Sequence, residues 1–319
     1  MVKYILKRIL MMVPVLVGVI ILIFTLMYFA KGDAASALAG ADATQEEIQQ
    51  IREQMGLDDG YFVRLGNYFK QLVVHGNLGY SYRTGASVSA EVVDRFKVSF
   101  ELALFSVAFS ILFGTVMGIV AAVRQSTWID NLAMLLALVG ASMPGFLLGL
   151  LLSLIFALKL HWLPSGGWGG IQYMVLPVLA FGVSHAGTMA RLTRSSMLEV
   201  VRQDYIVTAK AKGVGPFKIT FVHAFRNALI PIVTQAGQML GLTIGGVVVA
   251  ETIFSVPGIG TYIMTAINSR DFPAVQGGIL FIAMVFGIIL LVVDILYAFI
   301  DPRIGAQYQR RGKKKRGEE

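Results

Sequence analysis

The chain has 319 residues, of which 56% are hydrophobic and only 14% charged, with a formal net charge of +8. Soluble domains carry roughly 25% charged residues, so the composition excludes a soluble globular protein and indicates an integral membrane protein. Cysteine is absent, which excludes disulfides and thiolate sites.

Charge-free windows locate the membrane spans, since a helix needs about 20 apolar residues to cross the hydrocarbon core. Such windows occur at residues 9–30, 102–123, 131–158, 171–190, 228–250 and 274–293. An open sheet is excluded because its backbone groups would be unpaired in lipid. The fold class predicted is therefore all-α, with six transmembrane helices.

Residues 1–30 form an N-terminal tail and the first transmembrane helix. Basic residues followed by an apolar run, with Ala37 and Ala39 beyond it, also suit a cleaved signal peptide. The apolar part of a signal peptide spans about 7–15 residues, whereas this run has 22. The length favours a first helix that is retained.

Residues 31–101 are predicted to be an extracytoplasmic loop with two short helices. Thr44 and Glu47 form a capping box at the start of the first helix, and Gly56 suits its end. Apolar residues recur at helical spacing at Ile48, Ile51 and Met55, and then at Phe62, Leu65, Phe69 and Leu72. The loop is either two helices resting on the protein or the membrane interface, which the spacing favours, or a platform for an external partner.

Residues 102–300 are predicted to be a five-helix core rich in small and helix-bending residues. Pro144 and Gly145 predict a bend in the third span, and Pro177 predicts one in the fourth. Small residues at four-residue spacing allow helices to approach closely, and they occur at Gly114 and Gly118, and at Gly237, Gly241 and Gly245. Ordinary helix packing and a path lined by bent helices are both compatible with this pattern.

Basic residues indicate the orientation. The short loops 159–170 and 251–273 carry one basic residue each, Lys159 and Arg270, while residues 191–227 carry seven and the tail 301–319 another seven. The positive-inside rule therefore places both termini and the loop 191–227 in the cytoplasm. The basic cluster 310–316 suits anionic lipid of the bilayer, and no nucleic-acid partner is expected.

Ionisable residues within the spans are nearly absent. Asp294 and His185 lie near span ends, whereas ion-driven carriers place such groups near the midplane. The chain has no phosphate-binding G-x-x-x-x-G-K-[ST] loop and no G-x-S-x-G or H-E-x-x-H motif. We therefore expect no catalytic residue, metal site or cofactor in this chain, and any ATPase would be a separate polypeptide.

The loop 191–227 contains a candidate docking helix. Asp204 is predicted to cap a helix over residues 205–212 that Gly213 ends. The candidate residues are Asp204, Tyr205, Thr208, Ala209, Lys210, Ala211, Lys212 and Gly213. Within the helix, Thr208, Ala209 and Ala211 are small enough for close contact with another protein. Lys210 and Lys212 equally suit anionic lipid headgroups.

This segment resembles the EAA loop of ABC importer permeases, a coupling helix that docks on the ATPase. The family pattern is E-A-A, three residues, G, nine residues and I-x-L-P. Residues 207–209 align with E-A-A and Gly213 aligns with the glycine, but Val207 replaces the glutamate, and Phe225 and Arg226 replace the leucine and proline. The form of the loop found here, TAKAKG followed by HAFRNALIP, resembles the B-type permease subunit of the dipeptide/oligopeptide/nickel branch. Further segments that resemble the same subunit lie at residues 76–81, 142–146, 163–167, 250–260, 270–273 and 301–303.

The resemblance implies a type I ABC importer permease in the bacterial cytoplasmic membrane. Its expected partners are a homologous C-type permease, two cytoplasmic ATPases that bind ATP and Mg²⁺, and an extracytoplasmic binding protein that contacts residues 31–101 and 251–273. Peptides are the expected substrates, with nickel, glutathione and sugars as alternatives within the family. A self-sufficient ion-coupled carrier or channel is the alternative outside it. No substrate-binding residue is assigned.

Overall fold

The computed structural model describes residues 2–30, 33–40 and 42–300, and the side chains of residues 5–295 within these ranges. The helices are α1 Val2–Phe29, α2 Ala34–Ala39, α3 Gln45–Gln54, α4 Tyr61–His75, α5 Val88–Val123, α6 Trp128–Ser142, α7 Gly145–Leu152, α8 Ile171–Val201, α9 Asp204–Ala211, α10 Pro216–Lys218, α11 Arg226–Ile253, α12 Ile259–Asn268 and α13 Phe272–Ile300. Two π-helical segments, Ser153–Lys159 and Ile219–Phe225, follow α7 and α10. The described residues thus form an all-helical fold, and the basic tail 301–319 lies outside them.

Five helices are long and apolar enough to cross a membrane. They are Ile5–Phe29, Val88–Val123, Ile171–Val201, Pro216–Ile253 and Phe272–Ile295. The sixth predicted span is the pair of helices Trp128–Ser142 and Gly145–Lys159, which meet at an angle of 99°. With this bent pair counted as one span, the described residues contain six spans, as predicted, and the chain is a multi-pass membrane protein.

The bend predicted at Pro144 is confirmed, and it is a complete break. The residue before a proline is pushed out of the helical region, and Met143 adopts the extended values φ −82° and ψ 123°. Pro144 then caps the N-terminus of α7. Pro177, by contrast, lies inside α8, which continues from Ile171 to Val201.

The described residues divide into two compact units. The first unit comprises residues 2–5, 101–255 and 289–300, and the second comprises the described residues of 6–100 and 256–288. The sequence-based division placed residues 256–288 in the core. The structure groups them with the loop 31–101, because side chains of α12 and of the start of α13 share a buried cluster with Val88 and Val92.

Glycines bring the long helices of the first unit together. A Cβ atom added at Gly114 of α5 would lie 2.6 Å from the carbonyl oxygen of Ala186 on α8. A Cβ atom added at Gly118 would lie 2.5 Å from the carbonyl oxygen of Ala190 on the same helix. These positions therefore tolerate only glycine at the observed helix separation. The core beside them contains Val107, Ile119, Ala122, Met189, Met197, Ala224, Ala228, Ile232 and Met239.

The glycine stripe of α11 packs only in part. A Cβ atom added at Gly237 would lie 2.7 Å from the side chain of Val293, and Gly241 is buried. Gly245 is exposed, and an added Cβ atom would meet no described atom within 4 Å. The sequence spacing is regular, but the neighbouring helix covers only one end of the stripe.

The short helices of the second unit follow the sequence closely. The predicted capping box is present, since the Thr44 backbone N–H donates to Glu47 Oε2 at 2.8 Å and the Glu47 backbone N–H donates to Thr44 Oγ1 at 3.3 Å. In α4, Leu65, Phe69 and Leu72 are half-buried against the protein, whereas Phe62 is 83% exposed. Tyr61 takes the covered position and packs on Phe24, with ring centroids 5.4 Å apart.

Candidate functional site

The predicted docking helix is α9, Asp204–Ala211. The prediction that Asp204 caps it is wrong, since Gln203 occupies the N-cap position with an extended backbone and makes no side-chain capping bond. Asp204 lies in the first turn instead, where its carboxylate interacts favourably with the helix dipole. The helix ends one residue earlier than predicted, and Lys212 is its C-cap.

Gly213 ends the helix as predicted. Its φ is +81°, in the left-handed region that favours glycine. The Gly213 N–H donates to the carbonyl of Lys210 at 2.9 Å and the Val214 N–H to that of Ala209 at 3.2 Å, the pair of bonds that defines a Schellman motif. Any other residue at this position would strain the exit from α9.

One side chain anchors α9, and the rest of the helix is available for contact. Ile206 is completely buried, and α9 packs against the π-helical segment Ile219–Phe225. Ala209 is half-buried. The other candidate residues are exposed: Asp204, Tyr205, Thr208, Lys210, Ala211, Lys212 and Gly213.

The elements on either side of α9 join one hydrophobic core. Ala224 of the π-helical segment is buried in the same cluster as Met197 of α8 and Ile232 of α11. Because packed interiors transmit displacement instead of absorbing it, a movement of α9 would be passed to two membrane-spanning helices.

Exposed aromatic side chains lie on α9 and just after it; Tyr205 was identified from the sequence, whereas Phe217 and Phe221 were missed. Tyr205 is 46% and Phe217 74% exposed, and the ring of Phe217 lies 4.6 Å from that of Phe221. Exposed aromatic residues are enriched at protein-binding surfaces. The signal was the four-residue spacing of Phe217 and Phe221, which on a helix places them on one face.

A buried ion pair lies just before α9 and was also missed. Arg194 of α8 donates to both carboxylate oxygens of Asp130, from Nε at 2.6 Å and from Nη2 at 2.7 Å. Asp130 Oδ2 also accepts the Ser126 N–H at 3.0 Å, and the Asp130 side chain is only 3% exposed. This bidentate pair fixes the start of α6 to α8, ten residues before Asp204.

Residues 114–306 match the family described as "Binding-protein-dependent transport system inner membrane component", and residues 1–103 match its N-terminal counterpart. The chain belongs to this family. It is 41% identical to the dipeptide transport system permease protein DppB of Alkalihalophilus pseudofirmus and 40% identical to the glutathione transport system permease protein GsiC of Salmonella typhimurium. Each alignment covers 95% of this chain and 99% of the relative.

Solved structures show the same fold at low identity. An inward-facing structure of the MetNI methionine ABC transporter matches with a TM-score of 0.55 at 16% identity, over 66% of this chain and 96% of that one. An amino acid ABC transporter with histidines matches with a TM-score of 0.52 at 14% identity, over 67% and 94%. The fold is that of a type I ABC importer transmembrane domain, and the chain is a transport component and not an enzyme.

In this permease, the segments 31–101 and 251–273 are joined within the second unit. The buried carboxylate of Asp271 accepts the Ser81 hydroxyl at 2.5 Å and the Tyr82 N–H at 3.0 Å. It also accepts the N–H of Ala274 at 3.4 Å, in the first turn of α13. One acidic side chain therefore holds the turn after Tyr80 against the start of a membrane-spanning helix.

Three further hydrogen bonds join the same segments. The Tyr262 hydroxyl donates to Glu91 Oε2 at 3.0 Å, Arg95 Nη1 to the Pro257 carbonyl at 3.3 Å, and the Ile259 N–H to Ser99 Oγ at 2.8 Å. Burial and the bond to Glu91 raise the pKa of the Tyr262 hydroxyl above its usual value. The hydroxyl therefore remains a hydrogen-bond donor to Glu91 beyond the pH at which an ordinary tyrosine ionises.

We expect Asp271→Ala to free the turn after Tyr80. Loss of a buried acceptor leaves several donors unsatisfied, each at about 1–3 kcal/mol. Trypsin should then cut faster after Arg83, which lies in this turn, and the unfolding temperature should fall. Asp42→Ala, at an exposed carboxylate, is the matched control. Wild-type cleavage rates in Asp271→Ala would show that Asp271 does not hold the turn.

Proposed function

We propose that this chain forms one half of the translocation pathway of an ATP-binding-cassette importer for di- or oligopeptides. Its partners are a homologous C-type permease, two ATPase subunits that bind ATP and Mg²⁺, and an extracytoplasmic binding protein. The family supports the presence of ATPase and delivery components. The names of the relatives DppB and GsiC support a peptide-like cargo.

The proposed location is the bacterial cytoplasmic membrane, with both termini and α9 on the cytoplasmic side. The distribution of lysine and arginine between the short loops supports this orientation. It places α9 where an ATPase can reach it and the segments 31–101 and 251–273 where a binding protein can dock.

The observation that carries the proposal is the combination of exposure and anchorage in α9. Nearly the whole helix is open to a partner, while Ile206 ties it to the protein. ATP binding closes the two ATPases and displaces α9. The displacement passes through the core around Ala224 to α8 and α11, and the break at Pro144 lets the third span respond separately. Alternating access follows from these movements.

The binding protein selects the transported substrate, and identifying its bound ligand distinguishes peptides from the other candidate substrates. The complete transporter is purified with its binding protein, and the ligand released on denaturation is identified by mass spectrometry. Di- or oligopeptides would support the proposal. Glutathione, nickel or a sugar would instead assign the chain to another member of the same branch.

Tyr205→Ala tests the docking role of α9. Exposed tyrosines are frequent hot spots whose truncation weakens a complex about tenfold or more. We therefore expect weaker retention of the ATPase and loss of its stimulation by loaded binding protein, with normal amounts of folded permease. Tyr80→Ala, which removes a similarly exposed ring from the other unit, should leave ATPase retention unchanged. Equal retention in both variants would contradict the proposed docking site.

A further inference from the structure

Helix α4 has one covered face and one exposed apolar face. Its covered face packs on the C-terminal end of α1, where the Tyr61 hydroxyl lies 2.7 Å from Thr25 Oγ1. Both Tyr61 and Tyr68 pack on Phe24, with ring centroids 5.4 Å and 6.2 Å away. The contact with α1 is therefore aromatic and continuous along two turns of α4.

These contacts keep the first two turns of α4 beside the C-terminal end of α1. Tyr61 and Tyr68 are seven residues apart, about 10 Å along a helix axis. Both rings nevertheless lie close to Phe24, and Tyr61 also meets Tyr28 and Phe29, with ring centroids 5.2 Å and 6.5 Å away. The first two turns of α4 therefore stay level with the end of α1 and do not extend away from it.

The same contacts fix the depth of α4. Thr25 and Phe24 belong to the apolar span Ile5–Phe29, and Thr25 lies about 6 Å before the end of this span. The aromatic rings of Tyr28 and Tyr61 meet here, 5.2 Å apart. Tyrosine is enriched at the boundary between hydrocarbon and headgroups, so α4 starts at the level of that boundary.

The exposed face of α4 is apolar at both ends of the helix. Phe62 is 83%, Val63 55%, Val73 75% and Val74 66% exposed. At 100° per residue these four side chains fall within about 120° of the helix circumference. Lys70 is exposed on the same face, and a lysine at an interface extends its stem along apolar surface while its ammonium group reaches the headgroups.

We propose that this face, formed by Phe62, Val63, Val73 and Val74, is embedded in the lipid leaflet reached by the C-terminal end of α1. Helix α4 is then an interfacial anchor that fixes the segment 31–101 to the bilayer. Its depth and its continuity with the aromatic end of α1 favour lipid over a delivery protein. A delivery protein must dock and leave repeatedly, and side chains within the interface are not accessible to it.

The absence of cysteine in this chain allows a direct test by site-directed spin labelling. Phe62→Cys and Val73→Cys are labelled with a nitroxide in the complete transporter, reconstituted in liposomes with partner subunits lacking reactive cysteines. Collisions with oxygen, which is concentrated in lipid, are compared with collisions with a water-soluble nickel chelate. Gln50→Cys, on an exposed position of α3, is the control.

Embedding predicts an oxygen-to-nickel collision ratio several-fold higher at residues 62 and 73 than at residue 50, unchanged when loaded binding protein is added. A ratio equal to that at residue 50 would show that the face is in water. Low collision with both reagents would show that protein covers it, and a further fall on adding binding protein would identify that protein as the occupant. Each of these three results would overturn the proposal.

Discussion

Asp130→Ala is expected to lower the stability of the permease by about 2–3 kcal/mol, because it removes a buried carboxylate that accepts charge-assisted hydrogen bonds and leaves the partly buried Arg194 without its partner. Arg194 would lose both of its short bonds, at 2.6 Å and 2.7 Å. The turn at Ser126, which has φ +63°, would lose the acceptor of its N–H. The last turns of α8 would no longer be fixed to α6, and α9 follows directly after them.

The functional consequence is uncoupling in addition to instability. With the last turns of α8 no longer tied to the start of α6, displacement of α9 would be passed less completely to the spans. We therefore expect the surviving Asp130→Ala transporter to hydrolyse ATP without the matching uptake of substrate. The measurements are the unfolding temperature of the purified transporter, and the ratio of substrate transported to ATP hydrolysed in proteoliposomes.

A double-mutant cycle isolates the contribution of the pair. Arg194→Ala and the double variant complete the cycle, and we expect the double variant to be more stable than the sum of the single effects predicts. Arg194→Lys should recover only part of the wild-type value, because an ammonium group cannot make the bidentate contact. Asp94→Ala is the matched control: its bond to Lys97 is 2.8 Å long, but both side chains are more than 70% exposed. Additive single effects would contradict the coupling.

The sequence was sufficient for features that depend on neighbours along the chain. The spans could be located from the absence of charge, and the break at Pro144 from the geometry of proline. The capping box at Thr44 and the helix end at Gly213 follow from local hydrogen bonding. The last three involve residues within about five positions of one another, so that spacing alone defines the contact, and the spans need only a continuous apolar window.

The remaining features depend on residues that are distant in sequence. Asp130 and Arg194 are 64 positions apart. From the sequence alone, each is only a charged residue near the end of a different predicted span. Asp271 and Ser81 are separated by 190 positions. Helical spacing grouped Phe62 with its apolar neighbours, but the position of α1 decides which face of α4 is covered. Periodicity describes one helix and carries no information about its partner.

Gly187→Ala is the second change with a large expected effect. Gly187 lies where α8 crosses α6, and an added Cβ atom would overlap the carbonyl oxygen of Ala137 and lie 2.9 Å from the backbone nitrogen of Ala141. Backbone atoms cannot rotate away as a side chain can, so the helices must separate. Overpacking of this kind costs about 1–3 kcal/mol or more, despite the gain of about 1 kcal/mol in helix propensity.

Gly245→Ala provides a control with the opposite expected sign. The exposed Gly245 has no described atom within 4 Å of an added Cβ, so only the propensity gain of up to about 1 kcal/mol applies. The unfolding temperature of the purified chain should therefore fall for Gly187→Ala and stay equal or rise for Gly245→Ala. A fall in both variants would show that glycine is needed for helix flexibility at any position. A fall at Gly187 alone would show that its role is to let α6 and α8 approach each other.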